Sequence, residues 1–364
     1  MRVLIAPDKF RGTLTAIQAA AVMARGARAL NESVETVEFP MADGGDGTLE
    51  VLCAHIHNAD LHTRTVEGPL GETVEAGFLT IGGDAWVEMA SCSGLVVSST
   101  PLRPLNAGSM GTGVMMRRAV ERAEVKRTIV GVGGSASTDG GTGAARAFGW
   151  RFLDRDGRDL PPGGGALVDV AHIEPGEPSP TEVLGACDVD SPLLGPEGAA
   201  SAFAAQKGAT DQQIRQLEEG LSTLAEVIAR DTGVLVEASP HGGAGGGMGA
   251  GLSTFFDARL LYGFDVVAES VRFDTALARC DLVVTGEGAY DLQSSRGKVV
   301  HRVAEAAAAR GVPCVLVAGD IRSDPAGSFL RAVSVSETYG PKRARLEAVS
   351  AVAKATMEAL AGSI

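Results

Sequence analysis

Six segments of this chain set acidic, basic or hydroxyl side chains on or beside glycine-rich runs. They are Ala6–Gly12 (APDKFRG), Ala42–Thr48 (ADGGDGT), Gly131–Gly143 (GVGGSASTDGGTG), Ala186–Leu193 (ACDVDSPL), Gly242–Gly249 (GGAGGGMG) and Gly286–Lys298 (GEGAYDLQSSRGK). Glycine loops leave backbone N–H groups free to bind phosphate oxygens. Asp43, Asp46, Asp139, Asp188, Asp190, Glu287 and Asp291 supply acceptors for Mg2+ or for a hydroxyl proton. Lys9, Arg11, Lys207 and Lys298 supply cations for a carboxylate or for phosphates. Phosphoryl transfer needs this mixture: positioning, a hard cation, positive charge on the transferring group, and a carboxylate near the attacking hydroxyl.

Other chemistries fit less well. An Asp beside glycine is also a common turn former, and Lys9 and Arg11 alone read equally as solvated loop charges. Residues 130–136 contain G-x-G-x-x-A after a strand-like run, with Asp154 some 20 residues on, which mimics a dinucleotide-binding fingerprint. The following STDGGTG is broken by glycine where that fingerprint wants a helix. Gly297-Lys298 is followed by Val299, so the P-loop pattern is absent, and the six histidines show no zinc-binding spacing. Ser135 and Ser137 lack the context of a nucleophile elbow. The loop ADGGDGT lacks EF-hand spacing.

These loops need strands to hold them. Arg2–Ala6 is a short apolar run, Thr13-Leu14-Thr15 offers a cap for a helix over Ala16–Leu30, and Val34–Phe39 reads as a second strand before a helix over Thr48–His57. The idiom returns near the other end with strands at Asp281–Thr285, Pro313–Val317 and Ala332–Val335. Helices are expected there over Lys298–Arg310 and Arg343–Leu360. Five such strands make one open, doubly wound parallel sheet built from both chain ends. Between them lie strand-like runs at Thr63–Val66, Thr73–Leu79, Ala85–Met89 and Thr128–Gly134, a GPLG turn at Gly68–Gly71, and a helix over Asp211–Arg230. Leu160–Pro180 reads as a loop. The expectation is an α/β protein of two domains, 1–60 plus 266–364 and an inserted mixed α/β domain 61–265. Ligands bind beyond the carboxyl ends of strands in such sheets, so the loops are expected to converge on one cleft between the domains.

Composition narrows the partners. The chain has 364 residues, 45% hydrophobic, with a formal net charge of −13 and 4% aromatics, which disfavours nucleic acid and anionic membranes. Forty-eight glycines, without a collagen period, mark sharp turns or close approach to a ligand. The five cysteines are scattered and odd in number, as expected for reduced thiols. MRVLIAPDKF is too short an apolar run for a signal peptide and no stretch approaches a membrane span, so a cytoplasmic protein is expected.

Taken in order, the segments resemble those of the bacterial-type glycerate kinases: APDSFKG, P-x-ADGGEGT, GPLG, EMA-x-ASGL, GTGE, GGSATNDGG, DVxNPL, PQKGA and TGEG-x-x-D-x-Q…GK. The counterparts here are Ala6–Gly12, Pro40–Thr48, Gly68–Gly71, Glu88–Leu95, Gly111–Val114, Gly133–Gly141, Asp188–Leu193, Gln206–Ala209 and Thr285–Lys298. Departures include Arg11 for Lys, which alters donor geometry, and Val114 for Glu. Asp46 stands for Glu, Ser191 for Asn, Ala205 for Pro, and PHGGAGGGMG for PGAGAAGG.

The resemblance implies two α/β domains, one flavodoxin-like, and ATP-dependent phosphorylation of D-glycerate with Mg2+, giving 2-phosphoglycerate, with 3-phosphoglycerate as the second choice. It suggests Asp188 as the base or hydroxyl-orienting carboxylate, with Lys9 and Arg11 holding the glycerate carboxylate or the γ-phosphate, and Asp43 and Asp46 holding the metal. Asp8, Gly133, Gly134, Ser135, Asp139, Gly140, Lys207, Gly245, Gly246, Glu287, Asp291 and Lys298 would line the substrate and ATP sites. A homo-oligomer is compatible with this reading. The alternatives are an NAD(P)-dependent hydroxyacid dehydrogenase, resting on GVGGSA, and a non-catalytic small-acid or nucleotide sensor on the same fold.

Overall fold

The structure is a computed structural model, and it describes residues 1–98, 101–291, 298–325 and 327–363. In chain order the strands are β1 (Arg2–Ile5), β2 (Glu35–Glu38), β3 (Asp60–Glu67), β4 (Thr73–Ile81), β5 (Asp84–Glu88), β6 (Arg127–Val132) and β7 (Arg151–Leu153). They continue with β8 (His172–Glu174), β9 (Glu182–Cys187), β10 (Arg259–Tyr262), β11 (Leu282–Tyr290), β12 (Cys314–Ile321) and β13 (Arg331–Ser334). The chain divides into two compact units. Unit 1 holds Met1–Asp43, Glu50–His57 and Phe264–Ile364; unit 2 holds Gly44–Leu49 and Asn58–Gly263. The short Gly44–Leu49 stretch thus groups with unit 2, apart from the residues on either side of it.

Unit 1 is an open parallel sheet in the order β13-β12-β11-β1-β2. Its centre joins the two chain ends, with Ile5 in register with Val284. Strands of a parallel sheet are covered on both faces and so read as continuous apolar runs, as RVLI and LVVT do. The helix Ala16–Leu30 starts at Thr15, whose side chain accepts from the Gln18 N–H in a capping box. Its alanine face packs on the helix Ala348–Leu360, and Gly26 leaves room for the Ala353 carbonyl between them.

Unit 2 is a mixed sheet in the order β10-β9-β6-β5-β4-β3. The four strands from β10 to β5 run parallel, while β3, β4 and β5 form an antiparallel meander turned at Gly68–Gly71. The helix Asp211–Thr232 lays Leu217, Leu221, Leu224 and Ile228 into the core. Each such side chain contributes about 1.5–3 kcal/mol through burial. The helix ends at Gly233 with φ 77°.

Three local expectations need correction. The strand expected over Asp281–Thr285 continues as β11 through Gly286-Glu287-Gly288 to Tyr290, because its ladder with β12 runs on to Tyr290 opposite Ile321. The helix expected over Arg343–Leu360 is two helices, Pro341–Leu346 and Ala348–Leu360, broken at the non-helical Glu347. The loop expected at Leu160–Pro180 contains a 3-10 turn, Gly164–Asp169, and β8. Among the described residues no helix is long and apolar enough to cross a membrane. All five cysteines are free, and burial pushes the Cys92 thiol up to about 12, so it stays protonated.

Candidate active site

The candidate residues fall into two sets, one in each unit. In unit 1, β1 runs into Pro7-Asp8, and the Asp8 N–H donates to the Gly286 carbonyl at 2.8 Å, tying the loop to β11. The Asp8 side chain accepts from the Lys9 N–H at 2.7 Å. Burial, helped by the neighbouring Asp43 charge, raises the Asp8 carboxyl to about 6, against the pull of Lys9 and Lys298. Asp8, Asp43, Lys9 and Lys298 therefore form one electrostatic cluster. Lys298 sits just before the helix Val299–Ala308. Glu287 lies on β11, buried, where the sequence predicts a loop. Asp291 follows that strand, and its charge acts on Arg322. Leu292–Gly297, the rest of that motif, lie outside the described residues.

Arg11 lines a different feature of unit 1, a cavity of about 560 Å³ bounded by the segment after β1 and by the carboxyl-terminal parts of β11 and β12. Arg322, Arg345, Asp320 and Ser336 share its wall with Gly288 and Gly319. Lys9 and Arg11, two positions apart, thus contribute to separate surroundings.

Unit 2 is organised around a buried lysine. Lys207 is 3% exposed, and its Nζ donates to Ser135 Oγ at 2.8 Å and to the Ser137 carbonyl. Burial lowers its pKa to about 8, and the Asp139 and Asp188 carboxylates hold it from falling further. The loop that wraps it, Gly133–Gly141, leaves β6 and interlocks with the non-helical glycines Gly245, Gly246 and Gly247 that kink the helix Ala244–Phe256. The Gly140 N–H donates to the Gly246 carbonyl at 3.1 Å. A Cβ on Gly246, which has φ 74°, would strike the Ser137 carbonyl and sit 2.9 Å from Lys207 Nζ. Only glycine lets the two backbones and the ammonium share this space. Gly245 and Gly246, expected as a phosphate loop, therefore also have a packing role. Ser137 Oγ and Thr138 Oγ1 are buried with no hydrogen-bond partner among the described residues. Such orphaned hydroxyls are costly and point to a bound group.

Asp139 is fully buried and accepts from the Ser109 N–H and hydroxyl and from the Gly141 and Gly143 N–H groups, all within 3.2 Å. These four donors make it the anchor of the loop. Asp188 follows β9, with Oδ2 3.2 Å from where a Cβ on Gly133 would stand. Gly134 has its corresponding position 3.8 Å from Asp46 Cβ, so Asp46 and Asp188 both border the Gly133-Gly134 corner. Glu88 at the end of β5 is buried and accepts from the Gly47 N–H at 3.3 Å and the Leu49 N–H at 3.1 Å, holding the Asp46 loop in place. Glu88, Ser109, Ser137 and Thr138 carry no site role in the sequence reading. The available sign was a carboxylate at an otherwise apolar strand end.

Among the described residues, no three His, Cys, Asp or Glu side chains converge as a metal cage. Mg2+ bound through phosphate needs only one or two carboxylates. Asp43, whose charge acts on the buried Asp8, is one carboxylate that could serve in that way.

Comparison with known proteins gives the family. The profile of the Glycerate kinase family matches residues 3–364. A Glycerate kinase of Halalkalibacterium halodurans is 38% identical over 93% of this chain and 91% of its own. The Glycerate 2-kinase of Escherichia coli K12 is 38% identical over 89% of this chain and 86% of its own. A solved chain from Salmonella typhimurium LT2, assigned as glycerate kinase 2, superposes with a TM-score of 0.81 at 36% identity, covering 99% of this chain and 97% of that one.

Proposed function

This chain belongs to the glycerate kinase family, and we propose that it transfers the γ-phosphoryl group of ATP to the 2-hydroxyl of D-glycerate, releasing ADP and 2-phosphoglycerate. The choice of the 2-position follows the name of the E. coli relative. The observation that carries phosphoryl transfer is the buried Lys207 ammonium beside Gly246, with two orphaned hydroxyls in the same loop. A desolvated cation that costs no reorganisation is what a transferring phosphoryl group requires.

Each residue set has a role in this reading. Lys207, Ser137 and Thr138, with the N–H groups of Gly133, Gly134 and Ser135, bind phosphate oxygens, while the Gly140 N–H, expected to join them, is given to the Gly246 carbonyl and holds the loop instead. Asp139 acts indirectly, by fixing that loop and by keeping Lys207 charged. Asp188 accepts the hydroxyl proton as the oxygen attacks phosphorus. Lys9 and Lys298 offset carboxylate and phosphate charge, and Arg11 pairs with an anionic group. Asp43 and Asp46 hold Mg2+, directly or through water, with Asp8 next to Asp43. When bound, the metal neutralises charge on the phosphate oxygens and orients them. Glu287 and Asp291 complete the polar lining.

The test is ADP release from ATP, Mg2+ and D-glycerate, with the product identified by phosphorus NMR. Turnover of ~1 s⁻¹ or more, with a phosphate on the 2-position, is expected. A folded protein that binds ATP without turnover would instead support the sensor.

A further inference from the structure

His241 is a histidine in a backbone conformation that favours glycine. Its φ is 62°, and it is only 7% exposed. A β-carbon in this left-handed region is strained, so the side chain must hold the residue there through its contacts. Those contacts converge on one place. Nδ1 lies 2.8 Å from the Val189 carbonyl, which can only accept, so Nδ1 carries the proton and donates it. The ring meets Tyr262 edge-on at 4.6 Å between centroids. Tyr262 closes β10 in register with Cys187, and its hydroxyl donates to Asp190 Oδ2 at 3.3 Å. Two residues on, the Gly243 N–H donates to the Ser191 carbonyl at 2.8 Å. The backbone of His241 is fixed in turn, because its carbonyl accepts from the Ala244 N–H and Gly249 packs against it too closely for any Cβ.

Val189, Asp190 and Ser191 are thus each held by a contact from His241, Tyr262 or Gly243, immediately after Asp188 at the end of β9. We propose that His241 is a positioning residue for Asp188, acting through the Val189 carbonyl. The role rests on the phosphotransfer function proposed above for Asp188. An Nδ1–H on a ring wedged edge-on against Tyr262 suits the task, being a rigid donor. A displacement of about 1 Å in a reacting group can cost ~10²-fold in rate, so the clamp should be visible in turnover.

The experiment compares His241→Gly and His241→Asn. Glycine accepts the backbone conformation and removes the donor. Asparagine tolerates the same conformation and carries an N–H the same number of bonds from Cα as Nδ1. The expected result for His241→Gly is a fall in kcat of ~10–100-fold with the KM for ATP little changed, whereas His241→Asn stays within about threefold of the unsubstituted chain. Hydrogen exchange gives a reading independent of activity. The Val189–Ser191 amides should exchange faster in His241→Gly and not in His241→Asn, with β9 amides in the same map reporting that each variant is folded. If His241→Gly fails to fold, Tyr262→Phe, which removes one hydroxyl, should still speed exchange at Asp190. Equal kcat in His241→Gly and the unsubstituted chain overturns the inference, and so does unchanged exchange of the loop. An unsubstituted chain that transfers no phosphate overturns the kinase reading instead, and the exchange data then decide the clamp by themselves.

Discussion

Two buried charges, one in each unit, show the same physical cost acting with opposite sign. Desolvation penalises the ionised form, so it raises a carboxyl and lowers an ammonium. In unit 1 it lifts Asp8 to about 6, and the like charge of Asp43 pushes the same way. In unit 2 it drops Lys207 to about 8, and Asp139 and Asp188 oppose the fall. The carboxyl cluster is only partly relieved by its lysines, whereas the ammonium is held by hydrogen bonds and two opposite charges. Unit 1 therefore carries a cluster that a cation would stabilise, and unit 2 a cation already offset by carboxylates.

The most severe way to probe the unit 2 cluster is Asp188→Asn. If Asp188 is the proton acceptor, transfer should fall by ~10³-fold or more with the fold intact. Near-normal turnover would remove Asp188 from the chemistry. Lys207→Met should lower kcat/KM for ATP by ~10²–10³-fold. Its thermal midpoint should fall as well, because Met leaves the buried Asp139 carboxylate and the Ser137 carbonyl without the ammonium. Unchanged ATP binding in a folded Lys207→Met protein would mean that Lys207 is structural.

The contrast also predicts pH behaviour. If charged Lys207 binds phosphate, kcat/KM falls about tenfold per unit above pH ~8, and Lys207→Arg, which stays charged, flattens that limb. The sign for stability is the reverse. Between pH ~8 and ~10.5 the unfolded chain holds a proton that the native state does not, so this group makes the native state more stable as pH rises. For Asp8 the folded value is raised above its ordinary 3.8. The stability it contributes is therefore fully present below that value and lost as pH rises through about 6. Without metal or nucleotide, Asp8→Asn should stabilise the protein at pH 7.5 by about 1–3 kcal/mol and have little effect at pH 3.5, measured by denaturant titration. No gain at pH 7.5 would mean that Lys9 and Lys298 already neutralise the cluster. The smallest change is Arg11→Lys, expected to raise a KM by a few-fold, as the fork of donors becomes a point charge. A kcat loss of ~10²-fold would instead place Arg11 on the transferring phosphoryl group.

Much of the fold was legible where a periodic pattern met a cap. Thr15 and Gln18 announce the helix Ala16–Leu30, and Thr210 and Gln213 the helix Asp211–Thr232. The extension of β11 through Gly286 and Gly288 was not, since glycine pairs read as a turn unless a neighbouring strand supplies a ladder. In the site, residue types were readable and their tasks were not. Asp139 is bound by Ser109, thirty positions earlier, and Glu88 holds backbone some forty positions before it. Such pairings come from the order of strands in the sheet, which local spacing does not encode. The burial of Lys207 has the same origin.

The junction of the two chain ends in unit 1 has a consequence for how the protein is made. β1 lies between β2 and β11, and Ile5 must wait for Val284. At a ribosome's pace of about 5–20 residues per second, β1 and β2 are exposed for on the order of tens of seconds with one edge open. Every strand of unit 2 has been translated before β11 emerges, so that unit can close first while β1, the helix Ala16–Leu30 and β2 await their partner strand. A newborn chain of this protein is therefore most vulnerable to strand-edge aggregation and chaperone capture at β1 and β2.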